Sequence, residues 1–252
     1  MTDLTSKVAG WLAEARSAVV FTGAGISTES GIPDFRSPDG VWSRYRTVYF
    51  QEFLESADAR LEYWRQKAEA HRDFSRAEPN VGHRLLAEWE QAGRLQGVIT
   101  QNIDGLHARA GSRRILELHG TALAVSCLAC QTRYDAGEMV ARFERSQAVP
   151  CCLACGSDLM KHATISFGQQ LPADVLHEAF ALSRQADVFL AIGSSLVVEP
   201  AASLPRAAKE AGARLIIINR DATPLDPLAD ALLRQPIGEA LAAIDAELRH
   251  RT

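Results

Sequence analysis

Five cysteines occur in the chain, and all fall in one short stretch as Cys127, Cys130, Cys151, Cys152 and Cys155. An odd and small number in 252 residues argues against a disulfide framework. Cys127-Leu-Ala-Cys130 and Cys152-Leu-Ala-Cys155 instead have the spacing of two zinc knuckles, separated by slightly more than the roughly 15–20 residues that are usual. Four thiolates close a tetrahedron and leave no position for water or substrate, so the single zinc they imply is structural. Cys151 allows a second register, but the C-x-x-C spacing favours Cys152 as the ligand and Cys151 as a neighbouring thiol.

A second set of residues follows apolar runs. Gly23-Ala24-Gly25-Ile26-Ser27 ends the first of them, and a glycine turn there lets backbone N–H groups approach a diphosphate. The strict G-x-G-x-x-G pattern fails, because Thr28 stands where the third glycine belongs, and the turn alone also fits an ordinary strand–helix connection. Three further run ends carry Gln101-Asn102-Ile103-Asp104, Gly193-Ser194-Ser195 and Asn219-Arg220-Asp221. Each resembles capping or loop chemistry when taken singly. Together they describe a nucleotide pocket beyond the carboxyl ends of parallel strands. His119-Gly120 closes another run at the same edge, which makes His119 a candidate general base. His83 and His107 read as first-turn helix residues. The chain has neither a G-x-S-x-G elbow nor an H-E-x-x-H pair, so a serine hydrolase and a zincin are disfavoured.

The elements that must position these residues are strand-length apolar runs: 17–23, 97–102, 115–120, 163–168, 188–195 and 214–220. Several are apolar throughout and rich in Val and Ile, as in strands buried on both faces of a parallel sheet. Helical stretches alternate with them: one from Asn80 as N-cap, one after Leu171-Pro172, one over 201–211 and one from about Gly238. The fold class is therefore α/β with an open sheet. Residues 34–79, with a weak helical pattern, and 121–162, with the cysteines, break the rhythm and read as insertions that build a smaller second domain. Lys and Arg number 27 against 31 acids, a net charge of −4, which provides no electrostatic footprint for nucleic acid. No apolar run approaches the ~18 residues needed to span a bilayer, and the N-terminus has no signal-peptide pattern, so no membrane partner and a cytoplasmic location are expected.

Taken in order, Gly23-Ala24-Gly25-Ile26-Ser27-x-x-Ser30-Gly31-Ile32-Pro33-Asp34-Phe35-Arg36, Thr100-Gln101-Asn102-Ile103-Asp104, Leu118-His119-Gly120, the two C-x-x-C pairs and Gly193-Ser194-Ser195-Leu196 resemble the sirtuins, NAD-dependent protein-lysine deacylases. The resemblance runs over essentially the whole chain. It implies a Rossmann-like large domain (1–33 with 80–120 and 168–252) and a small zinc domain (34–79 with 121–167), with NAD and acyl-lysine held between them. It further implies that Ala24, Gly25, Asp34, Phe35 and Arg36 line the loop over the nicotinamide ribose. Gln101, Asn102, Ile103 and Asp104 would form the nicotinamide pocket. Gly193, Ser194 and Ser195 would meet phosphates or ribose, and Asn219, Arg220 and Asp221 the adenosine end. His119 would be the base, with Asn102 beside it, and Phe35 would exclude water. Ile165, Phe167 and Gly168 on one side and Leu196, Val197 and Val198 on the other would pair with the backbone of acyl-lysine proteins or peptides.

Two features depart from common sirtuin patterns. After the second knuckle the chain reads Lys161-His162-Ala163-Thr164 where Pro and acids are common, which bears on peptide preference. The Tyr-x-x-Arg pair of sirtuins that prefer acidic acyl chains is missing from Glu62-Tyr63-Trp64-Arg65-Gln66-Lys67. Tyr63 or Trp64 is expected instead to present an apolar wall to acetyl-lysine. Sirtuin-like ADP-ribosyl transfer or NAD hydrolysis, and a non-catalytic NAD-sensing module, are the alternative readings. His119 near Asn102 and Asp104 argues against a mere sensor, which needs no base beside a ribose.

Overall fold

The structure is a computed structural model and describes residues 2–34 and 46–251. Its main sheet is built from β1 (Ala18–Thr22), β2 (Leu95–Thr100), β3 (Ile115–Glu117), β7 (Val188–Ile192), β8 (Arg214–Ile218) and β9 (Ala231–Leu233). The order is β3-β2-β1-β7-β8-β9 and every neighbouring pair is parallel. This is the Rossmann order, in which the direction of winding reverses between β1 and β7.

All five residues of β1 and all five of β7 are buried, because helices cover both faces. Strand alternation divides the side chains between two cores. Ala18, Val20, Leu190, Ile192, Ile216 and Ile218 face one cluster, which includes residues of α1 (Thr2–Glu14), α4 (Val81–Gln91) and α9 (Ile237–Arg249). Val19, Phe21, Phe189, Ala191, Leu215 and Ile217 face the other, with α7 (Ala173–Gln185) and α8 (Ser203–Glu210). Asn80 caps α4 as the sequence suggests: Oδ1 accepts the His83 N–H at 3.3 Å, and His83 Nδ1 accepts the Asn80 N–H at 3.4 Å. Its Nδ2 also donates to the Ile26 carbonyl at 2.7 Å, tying α4 to the glycine turn.

The second sheet is antiparallel, ordered β5-β4-β6, from β4 (Gly120–Cys127), β5 (Arg133–Asp135) and β6 (Met160–Thr164). The run at 163–168 is thus not a strand of the parallel sheet. Its first two residues end β6, and the rest forms the connection back to α7. α6 (Ala136–Ser146), α2 (Phe50–Glu55) and α3 (Ala57–Arg76) enclose a third core of Phe53, Tyr63, Trp64, Met139, Phe143 and Met160. The 20-residue α3 is longer than the weak pattern at 34–79 suggests. Its charged residues dilute an inward stripe that includes Ala59, Tyr63, Trp64 and Ala68. Among the described residues no helix is long and apolar enough to cross a membrane.

Candidate functional site

The carboxyl ends of β1 and β7 meet without side chains between them. Gly23 N–H donates to the Ile192 carbonyl at 3.0 Å, Gly25 N–H to the Gly193 carbonyl at 2.8 Å, and Gly193 N–H to the Ile218 carbonyl at 2.9 Å. A Cβ on Gly193 would lie 2.5 Å from the backbone nitrogen of Ile26, and Gly193 also has φ +64°, so glycine is required twice over. From Gly23 the chain enters a 3₁₀ turn, Ala24–Ser30, rather than an α-helix, and Gly31 closes it with φ +83°.

The segment after β2 folds onto this turn. Asn102 Nδ2 donates to the Gly23 carbonyl and to Ser27 Oγ, both at 3.1 Å. Ser27 Oγ donates to Asp104 Oδ2 at 2.7 Å, and Asp104 Oδ1 accepts the Leu106 N–H at 2.9 Å. Burial raises the Asp104 carboxyl above its ordinary value, against the lowering effect of these hydrogen bonds. Gln101 Nε2 donates to Ser194 Oγ at 2.8 Å, which joins the segment to the end of β7. Ile103 is half-buried, and its carbonyl accepts the Ala122 N–H at 2.8 Å.

His119 lies just past β3, half-buried, beside the same segment. Its Nδ1 donates to the Gln101 carbonyl at 2.9 Å, because a carbonyl oxygen only accepts. That bond sets the tautomer and leaves Nε2 as the basic nitrogen. Burial lowers the imidazole below its ordinary 6.5, and the Gln101 bond partly offsets this. The ring is therefore neutral and able to take a proton near pH 7.

Other expected residues are placed as follows. Ser194 is buried, Ser195 and Asp34 are half-buried, and Phe35 and Arg36 lie outside the described residues. Asn219, Arg220 and Asp221 follow β8, and Arg220 pairs with Asp221 on an exposed surface at 3.0 Å. Arg234, which the sequence reading did not single out, donates to the carbonyls of Asn219 and Asp221 at 2.9 and 2.7 Å and shapes that corner. Ile165 N–H donates to the His119 carbonyl at 2.9 Å, fixing the connection after β6 beside the histidine. Phe167 and Val197 are exposed although large and apolar, Gly168 is exposed, and Val198 is half-buried. The Leu196 side chain points into the parallel-sheet core, so only its backbone, at φ +53°, is left for a partner.

Cys127, Cys130, Cys152 and Cys155 bring their sulfurs within 4.8 Å of one another, while Cys151 is exposed and outside the cluster. Cys127 to Cys155 and Cys130 to Cys152 are each 3.6 Å between sulfurs. A tetrahedron with metal–sulfur bonds near 2.3 Å has edges of about 3.8 Å, so the four residues fit zinc. The two knuckles repeat one geometry. Gln131 N–H donates to the Cys127 carbonyl and Gly156 N–H to the Cys152 carbonyl, each at 2.8 Å, with Gln131 at φ +64° and Gly156 at φ +76°. Only the register with Cys152 gives this match.

Two expectations are corrected. Tyr63 and Trp64 are 4% and 0% exposed, and Trp64 Nε1 donates to the Met160 carbonyl at 2.8 Å, so both belong to the small-sheet core rather than to an acyl wall. Lys161 and His162 also point inward, at 1% and 2% exposure, so that departure from the sirtuin pattern falls in the core rather than on a peptide surface. Burial brings the Lys161 ammonium down to about 7. Sequence reasoning also missed a buried cluster of Thr22, Thr100, His83 and His107 behind the site. The available signal was two histidines near apolar helix starts, which any solvated first turn shows equally well.

A model of the Sir2 family matches residues 23–200. The chain belongs to the Sir2 family. It is 49% identical over 232 residues to an NAD-dependent protein deacetylase 1 of Bradyrhizobium diazoefficiens, covering 91% of each chain. A solved Sir2 enzyme superposes with a TM-score of 0.90 at 44% identity, over 100% of both chains. A Sir2 variant solved with a deacetylated p53 peptide and 3′-O-acetyl ADP-ribose superposes with a TM-score of 0.90 at 38% identity, over 96% of this chain and 98% of that one.

Proposed function

We propose that this sirtuin is an NAD-dependent protein-lysine deacetylase that transfers the acetyl group to ADP-ribose and releases nicotinamide. The observation that carries the reading is His119, whose tautomer is set by Gln101 at the switch-point edge so that Nε2 is the basic atom. The residues present fit NAD: the glycine meeting of β1 and β7 gives backbone access for a diphosphate, and polar groups converge from three strand ends. When bound, NAD supplies a ribose carbon that becomes electrophilic as nicotinamide departs.

The chain's own residues have separable tasks. Gly23, Ala24, Gly25, Ile26 and Ser27 present the turn, and Asp34, Phe35 and Arg36 serve the nicotinamide ribose. Gln101, Asn102, Ile103 and Asp104 bind the nicotinamide end. Gly193, Ser194 and Ser195, with Asn219, Arg220 and Asp221, hold the rest of the dinucleotide. His119 Nε2 removes a ribose hydroxyl proton. Ile165, Phe167, Gly168, Leu196, Val197 and Val198 hold the acetyl-lysine peptide by backbone pairing. The four knuckle cysteines hold a structural zinc apart from this chemistry. We assign 1–33, 80–120 and 168–252 to the dinucleotide-binding domain and 34–79 with 121–167 to the zinc domain. The five free thiols, four of them committed to the zinc, fit a reducing cytoplasm.

Mass spectrometry of products from an acetyl-lysine peptide and NAD tests the reading. One nicotinamide and one O-acetyl-ADP-ribose per lysine are expected, and His119→Ala should lower turnover by roughly 10²–10⁴-fold. ADP-ribosylated protein or free ADP-ribose without deacetylation would overturn it.

A further inference from the structure

Two buried imidazoles have no part in the mechanism above. His83 and His107 are 0% and 2% exposed, and their rings meet edge to face with centroids 4.9 Å apart. Hydrogen bonds fix the tautomer of each. Thr22 Oγ1 donates its only proton to Thr100 Oγ1 at 2.8 Å, so at 2.9 Å from His107 Nε2 it must accept, and Nε2 carries the hydrogen. Thr100 Oγ1 also accepts the backbone N–H of Asn102 at 3.0 Å. On the other side the Asn80 N–H donates to His83 Nδ1, which puts the His83 hydrogen on Nε2. The adjoining rings thus present a donor, His83 Nε2, and an acceptor, His107 Nδ1, neither with a hydrogen-bond partner among the described residues. Burial keeps both rings neutral, with His107 brought down to about 3 and His83 to about 4.

We propose that His107 is a positioning residue for the nicotinamide end of the site: its Nε2–H orients Thr22, which through Thr100 fixes the backbone of Asn102. This rests on the reading of Asn102 as a nicotinamide-pocket residue. The Asn102 side chain reaches Gly23 and Ser27 only from that backbone position, and both contacts are already long at 3.1 Å. The opposite His107 tautomer would make Thr22 a donor to the ring and turn the Thr22–Thr100 bond round, with Thr100 donating its own hydroxyl proton. The relay therefore has one direction, set from behind the site. Misplacing a reacting contact by about 1 Å can cost up to about 10²-fold in rate, whereas the peptide-pairing segments lie elsewhere.

The test uses the full-length, zinc-loaded chain. His107→Phe preserves a ring and removes the donor, while His107→Gln restores an N–H donor. Thr22→Val and Thr22→Ser form the matching pair. We expect His107→Phe and Thr22→Val to lower kcat about tenfold with the peptide KM within about twofold, and His107→Gln and Thr22→Ser to recover most of the loss. Nitrogen-15 NMR of the unaltered chain should show neutral, Nε2-protonated His107 between about pH 5 and 8. Full kcat in His107→Phe, or an Nδ1-protonated His107, overturns the proposal. Where His107→Phe does not fold, the Thr22 pair and the NMR tautomer decide. Failure of the deacetylase reading appears separately, as no NAD-dependent deacetylation by the unaltered chain, and the NMR result still reads the relay.

Discussion

Replacing Gly193 with alanine tests how the switch point is built. Two costs add. The residue has φ +64°, a left-handed conformation that costs an L-residue about 1–2 kcal/mol. The new Cβ would also lie 2.5 Å from Ile26 N and 2.8 Å from the Gly25 carbonyl carbon. Both are backbone atoms that cannot swing aside, and such overpacking costs about 1–3 kcal/mol. Gly212 is the control without a contact, because nothing lies within 4 Å of its would-be Cβ and its positive φ of +102° carries a backbone cost alone. Gly193→Ala should therefore destabilise by roughly 2–5 kcal/mol and Gly212→Ala by about 1–3. At roughly 2–4 °C per kcal/mol for a chain of this size, thermal unfolding at constant zinc should separate the two variants. Calorimetric titration supplies the functional half, since spreading the Gly25-to-Gly193 contact should weaken NAD binding in Gly193→Ala and leave it intact in Gly212→Ala. Equal losses of stability with unchanged NAD affinity in both would refute the reasoning.

Cys152→Ser should lose the zinc and unfold the small domain, because metal site and fold form together, whereas Cys151→Ser should keep full metal content by atomic absorption. Retention of zinc by Cys152→Ser and its loss from Cys151→Ser would reverse the register. Trp64→Ala should destabilise the protein by about 3–5 kcal/mol, measured by urea unfolding, and a loss under 1 kcal/mol would return Trp64 to a ligand wall. Burial holds His107 at about 3 and His83 at about 4, against 6.5 for the exposed group. Between about pH 4 and 6.5 the unfolded chain thus binds protons that the folded chain does not, and stability should fall with pH there by up to about 1.4 kcal/mol per unit for each ring. A flat urea midpoint from pH 7 to 5 would contradict this.

The strands most plainly read from sequence are those whose burial leaves no polar residue in their middles. β1, β7 and β8 are apolar except for Thr22 and Arg214 at their ends, because helices cover both faces, so each declares itself without reference to its neighbours. β5 and β9 are three residues each and sit at sheet edges, too short for either periodicity to register, whereas the equally short β3 is prolonged by the buried Leu118 into a readable run. β6 defeats the pattern in another way. Its buried centre is Lys161-His162, and the run that looked like a strand begins only where β6 is ending. Lys161 becomes tolerable inside because its Nζ donates to the Thr164 and His162 carbonyls, a compensation that no local pattern records, while the His162 ring is buried with neither nitrogen hydrogen-bonded among the described residues. The knuckles were legible for the opposite reason: metal spacing is a local constraint, and both loops repeat it residue for residue.

Tyr63 and Trp64 mark where local pattern runs out. Aromatic residues on one stripe of a helix fit a core or a ligand wall equally well, and only the element packed against the stripe decides between them. Here that element is β6 with α6. Trp64 stacks on Phe143 at 5.7 Å, and Tyr63 meets Phe53 edge to face at 5.0 Å. Lys67 and Lys161 place their amino nitrogens 5.4 and 5.6 Å from the centre of the Tyr63 ring, whose quadrupole favours the charged form of each. A ring with this many neighbours is closed to an acyl chain. The absence of a Tyr-x-x-Arg pair therefore stands as a sequence fact, but Tyr63 and Trp64 cannot be what admits acetyl-lysine. The large apolar residues that stay exposed near the site are instead Phe167 and Val197, on the connections after β6 and β7.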